Sequence, residues 1–327
     1  MKILITGASG FIGSHMVDRA LQLDHEVWAS VRATSNRRYL TDERIHFVEL
    51  RLDDADLLAQ QLSNAPQWEI IIHCAGVTKC LHEQDYYTIN YEATCHLVDT
   101  LIKLNKIPHQ FIYMSTLGTY GPLHEKPPYR PITDADIPHP NTHYGRSKRM
   151  TEEYLMNLKG FPYVIFRPTG VYGPRDRDYR LFIDSIRHHV ELTLGPMRQD
   201  ITFVYIRDLV KAVFLAIRYG TTRKCYFITD GNVYTARDFG DMVRQALGNP
   251  YVIHLMIPLW LGRVVASLCD VIGHIIGRSL TLNSDKYRIL SQRNWTCDIA
   301  PLTSELGYMP EYDLRRGIAE TIHESQE

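Results

Sequence analysis

The feature that most constrains this chain is a glycine-rich turn that directly follows a short apolar run at its start. Residues 3–5 are apolar, and the next stretch, TGASGFIG, places three glycines in the spacing G-x-x-G-x-x-G. The first glycine permits a tight turn, the second lets a pyrophosphate approach the backbone, and the third lets helix and strand pack closely. The turn therefore predicts a dinucleotide site, the alternative being a turn that only packs. Its candidate residues are Gly7, Ser9, Gly10, Phe11, Ile12 and Gly13.

Short apolar runs alternate with helical stretches over the first 170 residues, which predicts an α/β fold. We expect a Rossmann-type doubly wound parallel sheet with helices on both faces. The predicted strands are Lys2–Thr6, Glu26–Val31, Ile45–Leu50, Glu69–His73, Gln110–Met114 and Tyr163–Arg167. The predicted helices are Gly13–Leu23, Asp54–Leu62, Tyr86–Leu104 and Thr142–Leu158.

The alternation ends near residue 170, which predicts a second, smaller lobe. Gly121–Asn141 is too rich in proline for a helix or a central strand, so we expect an irregular flap there. Return strands are expected at Thr202–Tyr205 and Cys225–Ile228. We expect a cofactor-binding domain over 1–170 and about 200–230. A C-terminal α+β substrate-binding lobe is expected over about 171–199 and 231–327.

Charge and cysteine content exclude several classes of function. Lys and Arg total 36 against 37 Asp and Glu, so the chain lacks the basic field that nucleic-acid binding requires. The six cysteines form no C-x-x-C pair, which predicts neither a metal site nor a disulfide framework. We expect reduced thiols and a cytoplasmic location.

The most apolar later stretch, Ile257–Gly277, raises the question of a membrane. It carries Arg263, Asp270 and His274, which a spanning helix of about 20 residues rarely holds. We therefore expect no integral membrane segment but a helix that covers the substrate. Contact with a membrane surface and an ordinary place in the lobe core are the alternatives.

The end of the second predicted strand distinguishes two dinucleotides. An Asp or Glu there holds the ribose 2′-hydroxyl of NAD, whereas an arginine accommodates the 2′-phosphate of NADP. This chain has Ser30, Val31 and Arg32, with Arg37 and Arg38 nearby. NADP(H) is therefore favoured over NAD(H). For Arg37 and Arg38, a solvated loop is an equal alternative.

Two further segments fit the path of a dinucleotide. Leu52 and Asp53 follow the third strand, where a carboxylate can meet the adenine amine, although Asp53 is equally suited to cap a helix. Small residues follow the fourth strand, where they would let the dinucleotide cross the sheet edge. These are Cys74, Ala75 and Gly76.

The segment YGRSK places Tyr144 and Lys148 four residues apart, on one face of a helix. A phenol has a pKa near 10, and a nearby ammonium lowers it toward neutrality. Thr116 follows an apolar strand and adds a hydroxyl at the same edge of the sheet. The three residues predict proton transfer to a substrate oxygen while a hydride moves to or from nicotinamide.

Eight motifs in order show that the chain resembles the extended short-chain dehydrogenases/reductases, the class that contains NAD-dependent nucleotide-sugar epimerases and dehydratases. The motifs are TGASGFIG, IIHCAG, INYEAT, STLGTYG, YGRSK, RPTGVYGP, FVYIRDLVKA and SELGYMP. The resemblance implies catalytic roles for Thr116, Tyr144 and Lys148, and a place for Asn90 in the polar network behind the lysine. It also implies a homodimer through a four-helix bundle and a backbone facing the nicotinamide at Pro168, Thr169, Gly170 and Val171.

This chain departs from the family pattern at three positions. Dehydratases carry an acidic pair after the catalytic threonine, where Leu117 and Gly118 stand here. Nucleotide-sugar members commonly have an asparagine at the position of Gly170 and an arginine at that of Ile201, both used on the substrate diphosphate. These departures count against elimination chemistry and against a diphosphate substrate.

The sequence is more similar to the 3β-hydroxysteroid dehydrogenase and dihydroflavonol reductase branches, which act on apolar rings with a ketone or secondary alcohol. We expect an NAD(P)-dependent oxidoreductase with a small-molecule, steroid- or flavonoid-like substrate. The first alternative is a nucleotide-sugar epimerase that retains NAD, with a dehydratase less favoured. The second alternative is a non-catalytic dinucleotide-binding sensor or scaffold. The candidate substrate-binding residues are Val77, Leu117, His143, Tyr172 and Tyr179.

Overall fold

The computed structural model describes residues 1–324, in which strands and helices alternate from the first residues onward. The strands are β1 Lys2–Thr6, β2 Glu26–Ser30, β3 Ile45–Val48, β4 Ile70–His73, β5 Gln110–Met114, β6 Tyr163–Pro168, β7 Gly170–Tyr172, β8 Val190–Leu194, β9 Phe203–Tyr205, β10 Lys224–Ile228 and β11 Ile253–Ile257. The helices are α1 Phe11–Gln22, α2 Ala55–Asn64, α3 Glu83–Tyr87, α4 Ala93–Lys103, α5 His143–Asn157, α6 Asp178–Arg187, α7 Ile206–Arg218, α8 Ala236–Ala246, α9 Leu259–Ile276, α10 Ser284–Ser291, α11 Ala300–Leu306 and α12 Leu314–Glu324.

A seven-stranded parallel sheet is the centre of the fold, in the order β10-β6-β5-β4-β1-β2-β3. The chain leaves β1 toward β2 and β3, then returns to β4 and continues in the opposite direction. This reversal puts the switch point, where open α/β sheets bind ligands, beside the carboxyl ends of β1 and β4. The predicted Rossmann-type α/β fold is confirmed.

Residues that contact one another most densely form two compact units. The first unit contains 1–116, 146–167 and 210–226, and the second contains 117–145, 168–209 and the described residues from 227 onward. The flap 117–145 therefore groups with the second unit, although the sequence analysis expects it within the cofactor domain. The irregular character predicted for Gly121–Asn141 is present, because its residues form no helix or strand.

Both predicted return strands form, but only one of them joins the main sheet. Lys224–Ile228 joins the edge of the main sheet, whereas Phe203–Tyr205 pairs with Gly170–Tyr172 in a separate two-stranded sheet. A second short pair joins β8 to β11. The predicted helix Tyr86–Leu104 is interrupted by a π-helical turn at Thr88–Glu92. Such turns are common at functional sites.

The core of the first unit is a large apolar cluster between the sheet and its helices. It includes Trp68, Phe111, Tyr113 and Phe161, all nearly fully buried. A polar group is also buried in this unit: Glu152 on α5 is inaccessible to solvent and accepts hydrogen bonds from Arg167 on β6. Its other oxygen lies 2.5 Å from the hydroxyl of Ser115, which follows β5. One carboxylate thus joins α5, β5 and β6.

A matched pair of variants tests the importance of this buried carboxylate. Glu152→Gln leaves the buried Arg167 guanidinium without its counter-charge, so we expect the free energy of unfolding to fall by about 3–5 kcal/mol. Glu153→Gln changes an adjacent residue that is 52% exposed and paired with Arg149, so its effect should stay below about 1 kcal/mol. Urea denaturation measures both. Equal losses of stability in the two variants would contradict the structural role given to the Glu152 carboxylate.

Candidate active site

The glycine turn of the first unit leaves no space for side chains. A Cβ on Gly13 would lie 2.2 Å from the carbonyl oxygen of Gly7, and a Cβ on Gly7 would lie 2.7 Å from the backbone at Cys74 and Ala75. Gly7 also has a φ of +66°, in the region that favours glycine. The end of β1 therefore approaches both the start of α1 and the segment after β4 closely.

The N-terminus of α1 is open to an anion. Gly10 precedes the helix, no side chain caps it, and its first turn holds no acidic residue. Gly10 is exposed, while Ser9, Phe11 and Ile12 are partly exposed. Uncapped N–H groups at a helix start bind phosphate well. The described residues of this turn fit a dinucleotide pyrophosphate.

The loop after β2 carries the predicted arginines. Arg32 is exposed, its N–H donates to the Ser35 hydroxyl, and its charge contributes to lowering the pKa of Asp53. The guanidinium of Arg37 lies over the Phe47 ring, 4.6 Å from its centroid. Arg32 therefore lies near the segment after β3, whereas the side chain of Arg37 packs on Phe47, a residue of β3.

Asp53 has two predicted roles, contact with the adenine amine and capping of a helix, and the structure contradicts the second. Arg51 donates two hydrogen bonds of 3.0 Å to its carboxylate, and these bonds are the main cause of its lowered pKa. The residue that caps α2 is Asp54, which accepts from the N–H of Leu57. The N-cap interpretation of Asp53 is therefore wrong. Leu52 is half-buried, and its carbonyl contacts the His96 ring at 3.0 Å.

The segment after β4 lies against a buried polar group. A Cβ on Gly76 would lie 2.8 Å from Asn90 Oδ1 and 3.3 Å from Lys148 Nζ. Asn90 is fully buried in the π-helical turn, accepts from the N–H of Val77, and donates to the Val77 carbonyl and the Ser147 hydroxyl. Asn90 thus fixes the backbone after β4 beside α5. Val77 contributes its backbone to this contact.

Two titratable groups in this region are kept neutral by burial. His73 at the end of β4 lies between the hydroxyls of Thr6 and Thr94, at 2.8 and 3.0 Å, and desolvation lowers its pKa to about 3. Desolvation raises the pKa of the Cys74 thiol to about 12. These groups leave Lys148 as the cation of this buried region.

Lys148 is buried with few polar partners. Its ammonium donates to the Met114 carbonyl at 2.9 Å and lies 4.7 Å from the centroid of the Tyr113 ring. Desolvation lowers its pKa to about 8, against the opposing influence of Cys74 and Glu152. The ammonium is still mostly protonated at neutral pH, and its poor solvation strengthens its interaction with any nearby anion.

Tyr144 and Lys148 both lie on α5, one turn apart, as the spacing predicts. Thr116 lies two residues after the end of β5 and is half-buried, as is Tyr144. Residues 117–119 form a short 3₁₀ turn in which Leu117 is 1% exposed. Leu117 packs with Tyr120, Ile132 and Phe227 in a core cluster of the second unit, so this position does not favour its predicted contact with substrate.

A carboxylate from far along the chain holds the start of α5. Within the second unit, Asp285 Oδ2 accepts from the backbone N–H groups of His143 and Tyr144, at 2.8 and 3.2 Å. The Thr142 hydroxyl accepts from the N–H of Gly145. Asp285 is itself paired with Arg288. The predicted substrate residue His143 is thus fixed through its backbone.

The sequence analysis missed Asp285, His73 and Glu152. Glu152 had a signal, because it lies four residues after Lys148 and so on the same helical face. His73 ends an otherwise apolar run, which is a weaker signal. Asp285 follows Asn283, which caps α10. This local pattern explains a helix start but contains no information on a partner 142 residues away.

The segment after β6 belongs to the second unit and is crowded. A Cβ on Gly170 would lie 2.1 Å from Tyr179 Oη and 3.1 Å from the Phe203 ring. Burial raises the pKa of Tyr179, so its hydroxyl stays neutral. The N–H of Thr169 donates to the Ile228 carbonyl, Pro168 is buried, and Val171 is half-buried. Tyr179 thus takes the space that a side chain at position 170 would need.

Tyr172 was expected to face the substrate, but the structure places it in the core of the second unit. It is 2% exposed, and its hydroxyl donates to the Asp313 carbonyl at 3.3 Å. A Cβ on Gly317 would lie 2.1 Å from the same hydroxyl. This environment explains Tyr172 as a packing residue against α12.

The comparisons with known proteins agree with the fold. The chain is 27% identical to a putative UDP-glucose 4-epimerase of Methanocaldococcus jannaschii, over 98% of this chain and 97% of the relative. It is 21% identical to a decarboxylating sterol-4-alpha-carboxylate 3-dehydrogenase of Dictyostelium discoideum, over 98% and 99%. The structure of UDP-glucuronic acid 4-epimerase from Bacillus cereus in complex with NAD is similar, with a TM-score of 0.76, 22% identity, and coverage of 100% and 99%.

A family model decides the classification. The model described as the NAD dependent epimerase/dehydratase family matches residues 3–228, about two thirds of the chain. This range includes the glycine turn, Thr116, Tyr144 and Lys148. The predicted resemblance is confirmed: the chain belongs to the NAD-dependent epimerase/dehydratase family, whose members are oxidoreductase-type enzymes.

Proposed function

We propose that this enzyme transfers a hydride between a nicotinamide dinucleotide and a ketone or secondary alcohol on a substrate that carries no nucleotide. The crowding at Gly170 supports this proposal most directly. Tyr179 Oη lies 2.1 Å from the position of a Cβ at residue 170, so an asparagine that binds a substrate diphosphate would have to displace this tyrosine. Ile201 replaces the arginine that would be its companion.

The chain's own residues supply the proton chemistry of this reaction. The Tyr144 phenol donates a proton to the substrate oxygen during reduction and removes it during oxidation. The Thr116 hydroxyl donates a hydrogen bond to the same oxygen. When bound, the nicotinamide accepts or gives the hydride at the carbon that bears this oxygen. All three residues named in the sequence analysis, Thr116, Tyr144 and Lys148, thus keep their proposed catalytic roles.

Lys148 makes the proton transfer feasible near neutral pH. An unperturbed phenol is a weak base because its pKa is near 10. The Lys148 ammonium is poorly solvated, and a cation in such a site favours the phenolate form of Tyr144 and so lowers its pKa. Lys148 also has donors to hold the cofactor ribose. Asn90 positions the adjacent backbone through Val77.

The proposed cofactor is NADP(H), bound with its pyrophosphate at the N-terminus of α1. The two residues directly after β2, Val31 and Arg32, offer a guanidinium and no carboxylate to the ribose. A guanidinium forms strong charge-assisted hydrogen bonds with a 2′-phosphate dianion. NAD(H) is the alternative, supported by the family description and by the related structure that contains NAD.

Nucleotide-sugar epimerisation is the second candidate function. The similarity to UDP-glucose and UDP-glucuronic acid 4-epimerases over nearly the full length favours it. An epimerase uses the same proton and hydride transfers twice on one substrate and recovers its cofactor unchanged. Elimination is a weaker candidate, because Leu117 and Gly118 replace the acidic pair of dehydratases and Leu117 is buried.

One experiment separates the two candidates. The freshly purified protein is denatured, and any released nucleotide is identified and counted. A protein that releases none and then binds NADPH more tightly than NADH supports the exchanging oxidoreductase. Release of near-stoichiometric NAD would overturn that proposal in favour of the epimerase.

Tyr144→Phe tests the proton donor. We expect kcat to fall by about 10²–10⁴-fold, because general acid–base catalysis contributes this much. The Kd for the cofactor, measured by fluorescence titration, should change less than about twofold. Weakened cofactor binding with unchanged kcat would contradict the assignment.

Arg32→Ala tests the cofactor preference. Loss of charge-assisted hydrogen bonds to the 2′-phosphate should raise the Kd for NADPH about 10- to 100-fold, with little effect on NADH. Arg44→Ala is the control, because Arg44 is an exposed arginine of the same region that Asp42 already binds. Equal effects of Arg32→Ala on both dinucleotides would refute the NADP preference.

Asp285→Ala tests the positioning of α5. Without its carboxylate, the start of α5 is free to shift, and we expect kcat to fall about tenfold or more while the cofactor Kd stays unchanged. Asp285→Asn keeps an acceptor oxygen and should recover much of the rate. Arg288→Ala, which removes only the partner of Asp285, is the control. A loss of folding without rescue by asparagine would indicate a structural role alone.

A further inference from the structure

One side of α9, in the second unit, is an extended apolar surface. Nine large side chains on this helix are 38–78% exposed, and at 3.6 residues per turn they cover about 160° of its circumference. Such a contiguous set differs from the single exposed hydrophobic residues that are normal on proteins. We call it the α9 face. It consists of Trp260, Leu261, Val264, Val265, Leu268, Val271, Ile272, Ile275 and Ile276.

The α9 face contradicts one of the three sequence-based expectations for this helix, an ordinary place in the lobe core. Its large side chains are exposed, so they are not ordinary core, and the buried positions are the small residues Gly262, Ala266 and Gly273. The expectation that α9 covers the substrate stays a prediction. Just before α9 in the chain, two residues of β11, Leu255 and Met256, are also apolar and exposed.

The opposite side of α9 is fastened to its own unit. Asp270 accepts from the N–H and hydroxyl of Ser284, and the Tyr287 hydroxyl donates to the Leu259 carbonyl at 3.0 Å. A Cβ on Gly262 would lie 2.7 Å from a Leu194 methyl. Among residues 1–324, α9 is the one helix long and apolar enough to cross a membrane by length and composition. Its polar fastening along one side instead fits a helix that lies flat.

We propose that the α9 face inserts into the surface of a bilayer that contains anionic phospholipid. The exposed cations Arg263 and Arg278 flank it, while the only acid on α9, Asp270, accepts a hydrogen bond from Ser284. A helix with one broad apolar side, basic neighbours and a terminal tryptophan is suited to the boundary of headgroups and acyl chains.

Charge favours this occupant over a second copy of the chain. Two copies paired through the α9 face with antiparallel helices would bring Arg263 of one beside Arg278 of the other, and like charges oppose association. Anionic headgroups would instead neutralise the same side chains. The exposed hydrophobic residues and the basic residues then contribute to one binding event.

Vesicle sedimentation of the full chain tests the proposal without any need for turnover. We expect binding to vesicles of phosphatidylcholine with phosphatidylglycerol, and weaker binding to phosphatidylcholine alone or at high salt. The double variant Leu268→Glu/Ile275→Glu should bind at least about tenfold more weakly. Tyr219→Glu/Met309→Glu adds the same charge at residues 59% and 70% exposed elsewhere and should bind like the wild type.

Three outcomes would overturn the proposal. One is no vesicle binding by the wild type. Another is a wild-type dimer that Leu268→Glu/Ile275→Glu converts to a monomer in sedimentation velocity, since the face would then join two copies. The third is bound protein that alkaline carbonate does not release, which would indicate a spanning helix. Cofactor binding, measured separately on each variant, distinguishes these failures from failure of the proposed function.

Discussion

Close approach between backbone segments at the carboxyl ends of β1 and β4 is the constraint on which the candidate cofactor site depends. Gly7, Gly13 and Gly76 are each so near to other atoms that a Cβ would overlap them. At Gly7 and Gly13 the neighbours are backbone atoms, which cannot move aside as a side chain can. Because these glycines have no Cβ, the end of β1 can lie close to the start of α1, which no side chain caps. The absence of a Cβ on Gly76 likewise lets the segment after β4 lie against Asn90. One compositional requirement therefore shapes both the expected anion site and the surroundings of Lys148.

The polar groups buried near Lys148 are neutral or engaged with other partners. His73 and Cys74 stay neutral because burial shifts their pKa values away from 7 in opposite directions. Glu152 is engaged by Arg167 and Ser115. Lys148 is thus surrounded by groups that neither solvate it fully nor neutralise it directly. Buried networks of this kind are stable only when each polar group has its hydrogen-bond partners. This requirement restricts which residues can stand at the positions around α5.

The sequence predicted the first unit well because its signals are local. Strand ends, the glycine turn and the spacing of Tyr144 and Lys148 follow from turn geometry and helical periodicity within a few residues. The second unit was harder, because Tyr172 and Leu117 look like available side chains until distant partners bury them. The exposure of α9 could not be predicted either, since an apolar helix has the same sequence whether it lies in a core or on a surface. The homodimer and the cytoplasmic location remain predictions.

The contact between Asp285 and the start of α5 has a consequence for how the protein is made. The carboxylate follows Tyr144 by 141 residues. A ribosome therefore releases every recognisable motif up to YGRSK well before the group that fastens the tyrosine. A nascent or truncated chain that ends before α10 would contain the cofactor fingerprint and the tyrosine–lysine pair, yet two N–H groups at that helix start would lack this acceptor. Until α10 has been made, the start of the helix that carries Tyr144 and Lys148 therefore lacks a contact that the longer chain provides.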